Sequence, residues 1–97
     1  MLKEVILALL KEKKVMNTTQ IARAINRNYI PTYQTLIKLK AKGLIDCVRV
    51  VEFLGNGISG IEVLYWFIKG NKREAVKLLK LVAKQRKVKL YVTKQGF

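Results

Sequence analysis

The chain has 97 residues, room for one domain over 1–97 with a thin core, and carries 20 Lys and Arg against 6 Asp and Glu, a net charge of +14. No His and a single Cys exclude imidazole acid–base chemistry, an intrachain disulfide and a His- or Cys-based metal site, so no cofactor, metal or enzymatic activity is expected. A 51% hydrophobic content excludes a disordered tail, and so basic a surface attracts polyanions: nucleic acid first, an anionic membrane second, an acidic protein third.

In residues 2–13, Leu2, Val5, Ile6, Leu9 and Leu10 share one face at helical spacing, while Glu4 and Lys11 fall opposite. Leu7 and Ala8 widen the apolar arc beyond what one small domain needs. The run Val5–Leu10 is too short for a signal-peptide core, and Ile61–Ile68 is short and contains Glu62. A soluble, cytoplasmic protein is therefore expected. Asn17-Thr18-Thr19-Gln20 carries the capping-box spacing, with Asn17 as cap and Gln20 three positions on. The helix it starts turns Ile21, Ala22 and Ile25 inward and Arg23 outward, and stops near Asn26.

After the turn Arg27-Asn28-Tyr29, Pro31 suits the first turn of a helix over 31–42. Its cap is either Asn28 or Ile30, because Pro31 disfavours helical geometry at Ile30. The cationic last turn with Lys40 and Lys42, followed by Gly43, marks the end. Thr32, Leu36 and Leu39 form one face; Tyr33, Gln34, Ile37, Lys38 and Ala41 form the other. Two helices joined by so tight a turn make a helix-turn-helix unit.

Asp46–Leu54 and Ile61–Ile68 read as strands, with Asn56-Gly57 between them as a hairpin signal. A two-stranded hairpin directly after such a helix is a wing, spanning about 46–68. Cys47, in the first strand, reads as a small buried hydrophobe, with a disulfide to a second chain as the alternative. A fourth helix over about 71–86, with Asn71 as its cap, sets Arg73, Lys77, Lys80, Lys84 and Lys87 in one stripe opposite Ala75, Leu78, Leu79 and Val82. Its apolar arc of roughly 220° exceeds that of a helix packed on one side only. Val88, Leu90 and Val92 alternate with Lys89 and Tyr91, as in a short final strand or extended tail.

Thr32–Ile45, with Leu36, Leu39, Gly43, Leu44 and Ile45 in register, resembles the recognition helix of bacterial and archaeal winged helix-turn-helix regulators. Tyr65-Trp66-Phe67-Ile68-Lys69-Gly70 and Arg73-Glu74-Ala75 resemble the last wing strand and following helix of MarR-like and PadR-like proteins, and Tyr33 sits where PadR-like proteins carry a tyrosine. The small size and Lys- and Ile-rich composition resemble archaeal or archaeal-virus members. The resemblance covers about residues 2–86. It implies an α+β winged helix: a three-helix core, a two-stranded wing and a C-terminal dimerisation helix. It also implies a homodimeric transcription regulator that places one recognition helix per subunit in successive major grooves of double-stranded DNA.

On that reading Gln34 contacts a base, for which its amide suits adenine; otherwise it is a solvated surface glutamine. Lys38 reaches guanine or a phosphate. Tyr33 donates to phosphate or packs under the wing, and Ile37 touches a thymine methyl or packs against the neighbouring helix. Thr18, Thr19, Arg23, Arg27, Thr35 and Arg49 suit backbone contacts that set register. Leu2, Val5, Leu9, Leu78, Leu79 and Val82 are expected at the dimer interface. The wing tip, Leu54–Gly60, carries no Lys or Arg, and the recognition helix no Arg, so the wing is not expected to read the minor groove. The alternatives are a non-specific architectural or RNA-binding protein, which needs the charge but not the helix face, and a winged-helix protein-interaction module.

Overall fold

The computed structural model describes residues 2–53, 60–86 and 89–92. The protein is α+β. In chain order its elements are α1 (Leu2–Lys13), β1 (Met16–Asn17), α2 (Thr18–Ala24), α3 (Tyr29–Ala41), β2 (Ile45–Phe53), β3 (Gly60–Ile68), α4 (Lys72–Gln85) and β4 (Lys89–Val92). The strands form one antiparallel sheet in the order β1-β3-β2-β4. The expected two-stranded wing is thus the centre of a four-stranded sheet. The tip segment with Asn56-Gly57 lies outside the described residues.

Local chemistry sets the helix ends. Asn17 is extended (φ −83°, ψ 169°), so one residue closes β1 and caps α2. Its Oδ1 accepts from Gln20 N at 2.8 Å, and its own N–H donates to Gln20 Oε1 at 2.9 Å, the reciprocal capping box expected from the spacing. Helix α2 ends with Asn26 at φ +55°; Asn26 N donates to Arg23 O and Arg27 N to Ala22 O. Helix α3 ends the same way on Gly43 at φ +76°, with Gly43 N bonded to Lys40 O and Leu44 N to Leu39 O. Both are Schellman closures, which satisfy carbonyls that a helix end would leave open.

Helix α3 begins at Tyr29, two residues before the expected start, and Ile30 is helical. Asn28 is the N-cap, but its side chain makes no capping bond. Instead, its carbonyl accepts from both Thr32 N (3.2 Å) and Thr32 Oγ1 (2.7 Å). Pro31 therefore stands at the third helical position, where the backbone amide has no intrahelical partner to lose. Asn71 likewise precedes α4 without a side-chain cap.

Alternation along β2 and β3 divides the core into two layers. Ile45, Cys47 and Trp66 face Ile6, Leu10, Ile21, Leu36 and Leu39 of α1–α3. Val48, Val50, Tyr65 and Phe67 face the other way, against Ala75 and Leu79 of α4. The sheet is thus covered on both sides, by α1–α3 on one face and α4 on the other. Trp66 is fully buried, and its Nε1–H donates to Thr18 Oγ1 at 2.9 Å, tying β3 to the start of α2. Cys47 is buried and unpaired, and burial pushes its thiol up.

Candidate nucleic-acid interface

Helix α3 buries Thr32, Leu36 and Leu39, which fixes its outward face by helical geometry. Gln34 and Lys38 stand exposed near the centre of that face, Ile30 precedes them with 66% exposure, and Ala41 follows. Two flanking residues are partly occupied within the fold. Ile37 is half-buried against the first core cluster. Thr35 donates its hydroxyl to Pro31 O at 3.0 Å, so its own helix holds it.

Tyr33 joins a ladder of rings that runs from surface to core. It lies 6.3 Å from Tyr29, nearly parallel at 4°, and 6.3 Å edge-on from Trp66. Tyr33 therefore does pack beneath the sheet. Tyr29, at 52% exposure, presents the open end of the ladder. Tyr29 and Ile30 are surface residues of α3 that the sequence places elsewhere, Tyr29 in the turn and Ile30 as an alternative cap. The i, i+4 tyrosine pair was the available signal, since such pairs meet only on a helix.

A groove of about 550 Å³ runs between the starts of α2 and α3 and the β3 edge. Asn17, Thr18, Thr19, Tyr29, Tyr33, Arg49 and Glu62 are among its lining residues. Four of the expected contact residues, Thr18, Thr19, Tyr33 and Arg49, thus meet at one place. Two of them differ from expectation. Thr18 is 3% exposed and its oxygen accepts the Trp66 N–H, so it is a core residue rather than a backbone contact. Arg49 forms an ion pair with Glu62 within the groove, so a phosphate arriving there would compete with a carboxylate. Thr19, Arg23 and Arg27 are exposed, and among the described residues neither arginine is engaged in an ion pair.

The expected dimer surface shrinks. Leu79 is 5% exposed and packs with Val48, Val50, Tyr65 and Phe67 in the chain's own second core, so it is not available to a partner. Leu2 and Leu9 are half-buried against the first core. Leu78 is half-buried; Val5 and Val82 remain exposed, and Leu81, from the wide apolar arc of α4, joins them.

On the α4 side of the sheet, a second cavity of about 370 Å³ is bordered by Lys13, Glu52, Tyr65, Leu78, Val82 and Arg86. The Tyr65 hydroxyl donates to Glu52 Oε1 beside it. Burial, that bond and the carboxylate charge together push the phenol up to about 12.

Among the described residues no group of three or more His, Cys, Asp or Glu is placed to hold a metal ion, and no helix is long and apolar enough to cross a membrane. The chain matches no family model, and no curated protein is significantly similar to it in sequence.

Proposed function

We propose that the chain is a winged helix-turn-helix protein that binds double-stranded DNA sequence-specifically and regulates transcription as a homodimer, with α3 in the major groove. The observation that carries this is the outward face of α3. Gln34 and Lys38 stand exposed in line on a helix whose other face is locked into the core. An amide and an ammonium one turn apart are what a helix offers to base edges and phosphates. The short α2–α3 turn and the hairpin that follows α3 support the same reading. Thr19, Arg23 and Arg27 would set register on the backbone. Homodimerisation rests on the exposed apolar residues Val5, Leu81 and Val82.

One feature favours a second reading, non-specific nucleic-acid binding: the outward face of α3 has Lys38 as its one central cation, while ten of the 20 basic residues fall in 69–94. The test is to select bound duplexes from a random pool, then titrate the selected duplex, its scrambled version and a structured RNA at two salt concentrations. Tight binding confined to the selected duplex supports sequence reading. Equal affinity for all three supports the charge alone, because the phosphate term is indifferent to sequence. No duplex binding at physiological salt would leave a protein-interaction module. Light scattering at micromolar concentration gives the oligomeric state, and a monomer mass would remove the homodimer.

A further inference from the structure

We propose that α4 carries a second, separate duplex-binding surface, so that one protein bridges two DNA segments; this rests on α3 being the first such surface. Arg73, Lys77, Lys80 and Lys84 are all exposed and follow one another along a single line of α4. Among the described residues none of the four side chains is engaged in an ion pair or hydrogen bond. At 1.5 Å per residue the line is about 16 Å long, the axial rise of roughly five phosphates on one strand. Its centre lies about 130° around the helix from the Ala75–Leu79–Ala83 face that packs on the sheet, so it points away from the body of the protein.

The sheet decides that this surface is separate from α3. The residues that pack against α3 and those that pack against α4 leave β2 and β3 on opposite faces. With layers about 10 Å apart, the axes of α3 and α4 stand roughly 20 Å from each other with the sheet between. The buried face of α3 is turned to the core it shares with one face of the sheet, so a straight duplex seated on its outward face lies on the side of α3 away from that core. A cationic line on the far side must meet a different segment of polyanion.

Nucleic acid fits this line better than a lipid surface does. A helix that lies in a membrane interface buries its apolar face in the bilayer. The apolar centre of α4 is already occupied by Val48, Val50, Tyr65 and Phe67, and its exposed flank offers Leu81 and Val82 but no aromatic anchor. Beside that flank stands a straight row of point charges, which matches the backbone of a rod-like polyanion.

The experiment holds the protein on a bead-immobilised 30-base-pair duplex, washes away the excess, and adds a fluorescent 30-base-pair duplex of unrelated sequence. The wild type is expected to capture the second duplex. Capture through four phosphate contacts should weaken about a hundredfold between 50 and 200 mM salt. The fourfold variant R73Q/K77Q/K80Q/K84Q should stay on the first duplex within twofold and capture at least tenfold less of the second. Its melting curve should match the wild type, since all four side chains are exposed. Equal capture by both proteins would overturn the proposal, because a dimer with two α3 faces would then suffice. So would loss of the first duplex by the variant, which would place the stripe on the same segment as α3. An arm with phosphatidylserine vesicles completes the test: vesicle binding lost in the variant, with duplex capture unchanged, would assign the stripe to lipid instead. If the wild type holds no duplex in the first step, the reading of α3 falls and bridging falls with it.

Discussion

Replacing Thr18 by Val isolates the hydrogen bond between the side chains of Trp66 in β3 and Thr18 in α2. Valine keeps the branched shape but removes the acceptor of the Trp66 N–H. Trp66 is fully buried and Thr18 is 3% exposed, so water cannot replace the lost partner. An unsatisfied buried donor costs about 1–3 kcal/mol, more than the net worth of an average hydrogen bond, because the indole keeps its desolvation penalty. In a domain of this size that corresponds to roughly 4–8 °C of melting temperature per kcal/mol. Thr18→Ser keeps the oxygen and loses one methyl, so it should fall about 1 kcal/mol or less below the wild type. Urea unfolding followed by far-ultraviolet circular dichroism measures these variants directly, and also those that lack Trp66, the single tryptophan. The double variant T18V/W66F removes donor and acceptor together, and its loss should be smaller than the sum of the two single losses. Equal midpoints for Thr18→Val and Thr18→Ser, or strict additivity in the cycle, would refute the claim that this bond couples β3 to α2.

Gly43→Ala should destabilise by about 1–2 kcal/mol through backbone strain alone, since the added Cβ meets only Lys69 Nζ at 3.8 Å while φ is +76°. Asn26→Gly, at the equivalent αL closure of α2, should stabilise by a few tenths to 1 kcal/mol, and chemical denaturation of both variants checks the pair. Tyr65 has its pKa raised to about 12 in the folded protein from an ordinary value near 10, so its contribution is complete below pH 10 and disappears as pH rises towards 12. The loss is about 1–2 kcal/mol after allowance for screening at the cavity edge, and the difference in stability between wild type and Tyr65→Phe should shrink across that window but stay constant from pH 7 to 9. Gln34→Ala should weaken binding to a selected duplex by roughly 1–3 kcal/mol and relax preference at one base pair; an equal change for every sequence would show that Gln34 reads no base.

What could be read from the sequence was local. The Asn17–Gln20 box, the Gly43 closure and the burial of Leu36 and Leu39 each depend on residues within a turn or two, so spacing suffices. Helix α3 starts two residues before the position that the sequence indicates, because the steric bias that proline places on the residue before it is a preference and not a bar, and Ile30 is helical. At the third helical position, Pro31 forfeits nothing. Thr18 was legible as part of a helix start but not as the acceptor for Trp66, which lies 48 residues away in the chain. A two-residue strand such as β1 has no periodicity at all, and its pairing with Tyr65 and Trp66 exists only in three dimensions.

The wide apolar arc of α4 has a different lesson, because the chain contained the means to interpret it. A ribbon with one open face alternates apolar and polar residues, whereas β2 and β3 carry apolar side chains on both: Ile45, Cys47 and Trp66 on one, Val48, Val50, Tyr65 and Phe67 on the other. Two apolar faces require two covering layers. Helices α1–α3 supply one, and α4 is the amphipathic element left to supply the other. Leu79 answers that need within its own chain and is not free for a second copy. With α4 on the sheet, its apolar residues serve the fold and its basic residues are turned outward, on the side that α3 does not face. The division of charge between the two sides of the protein is therefore a consequence of the strands: their double hydrophobicity fixes where the cations of α4 must point.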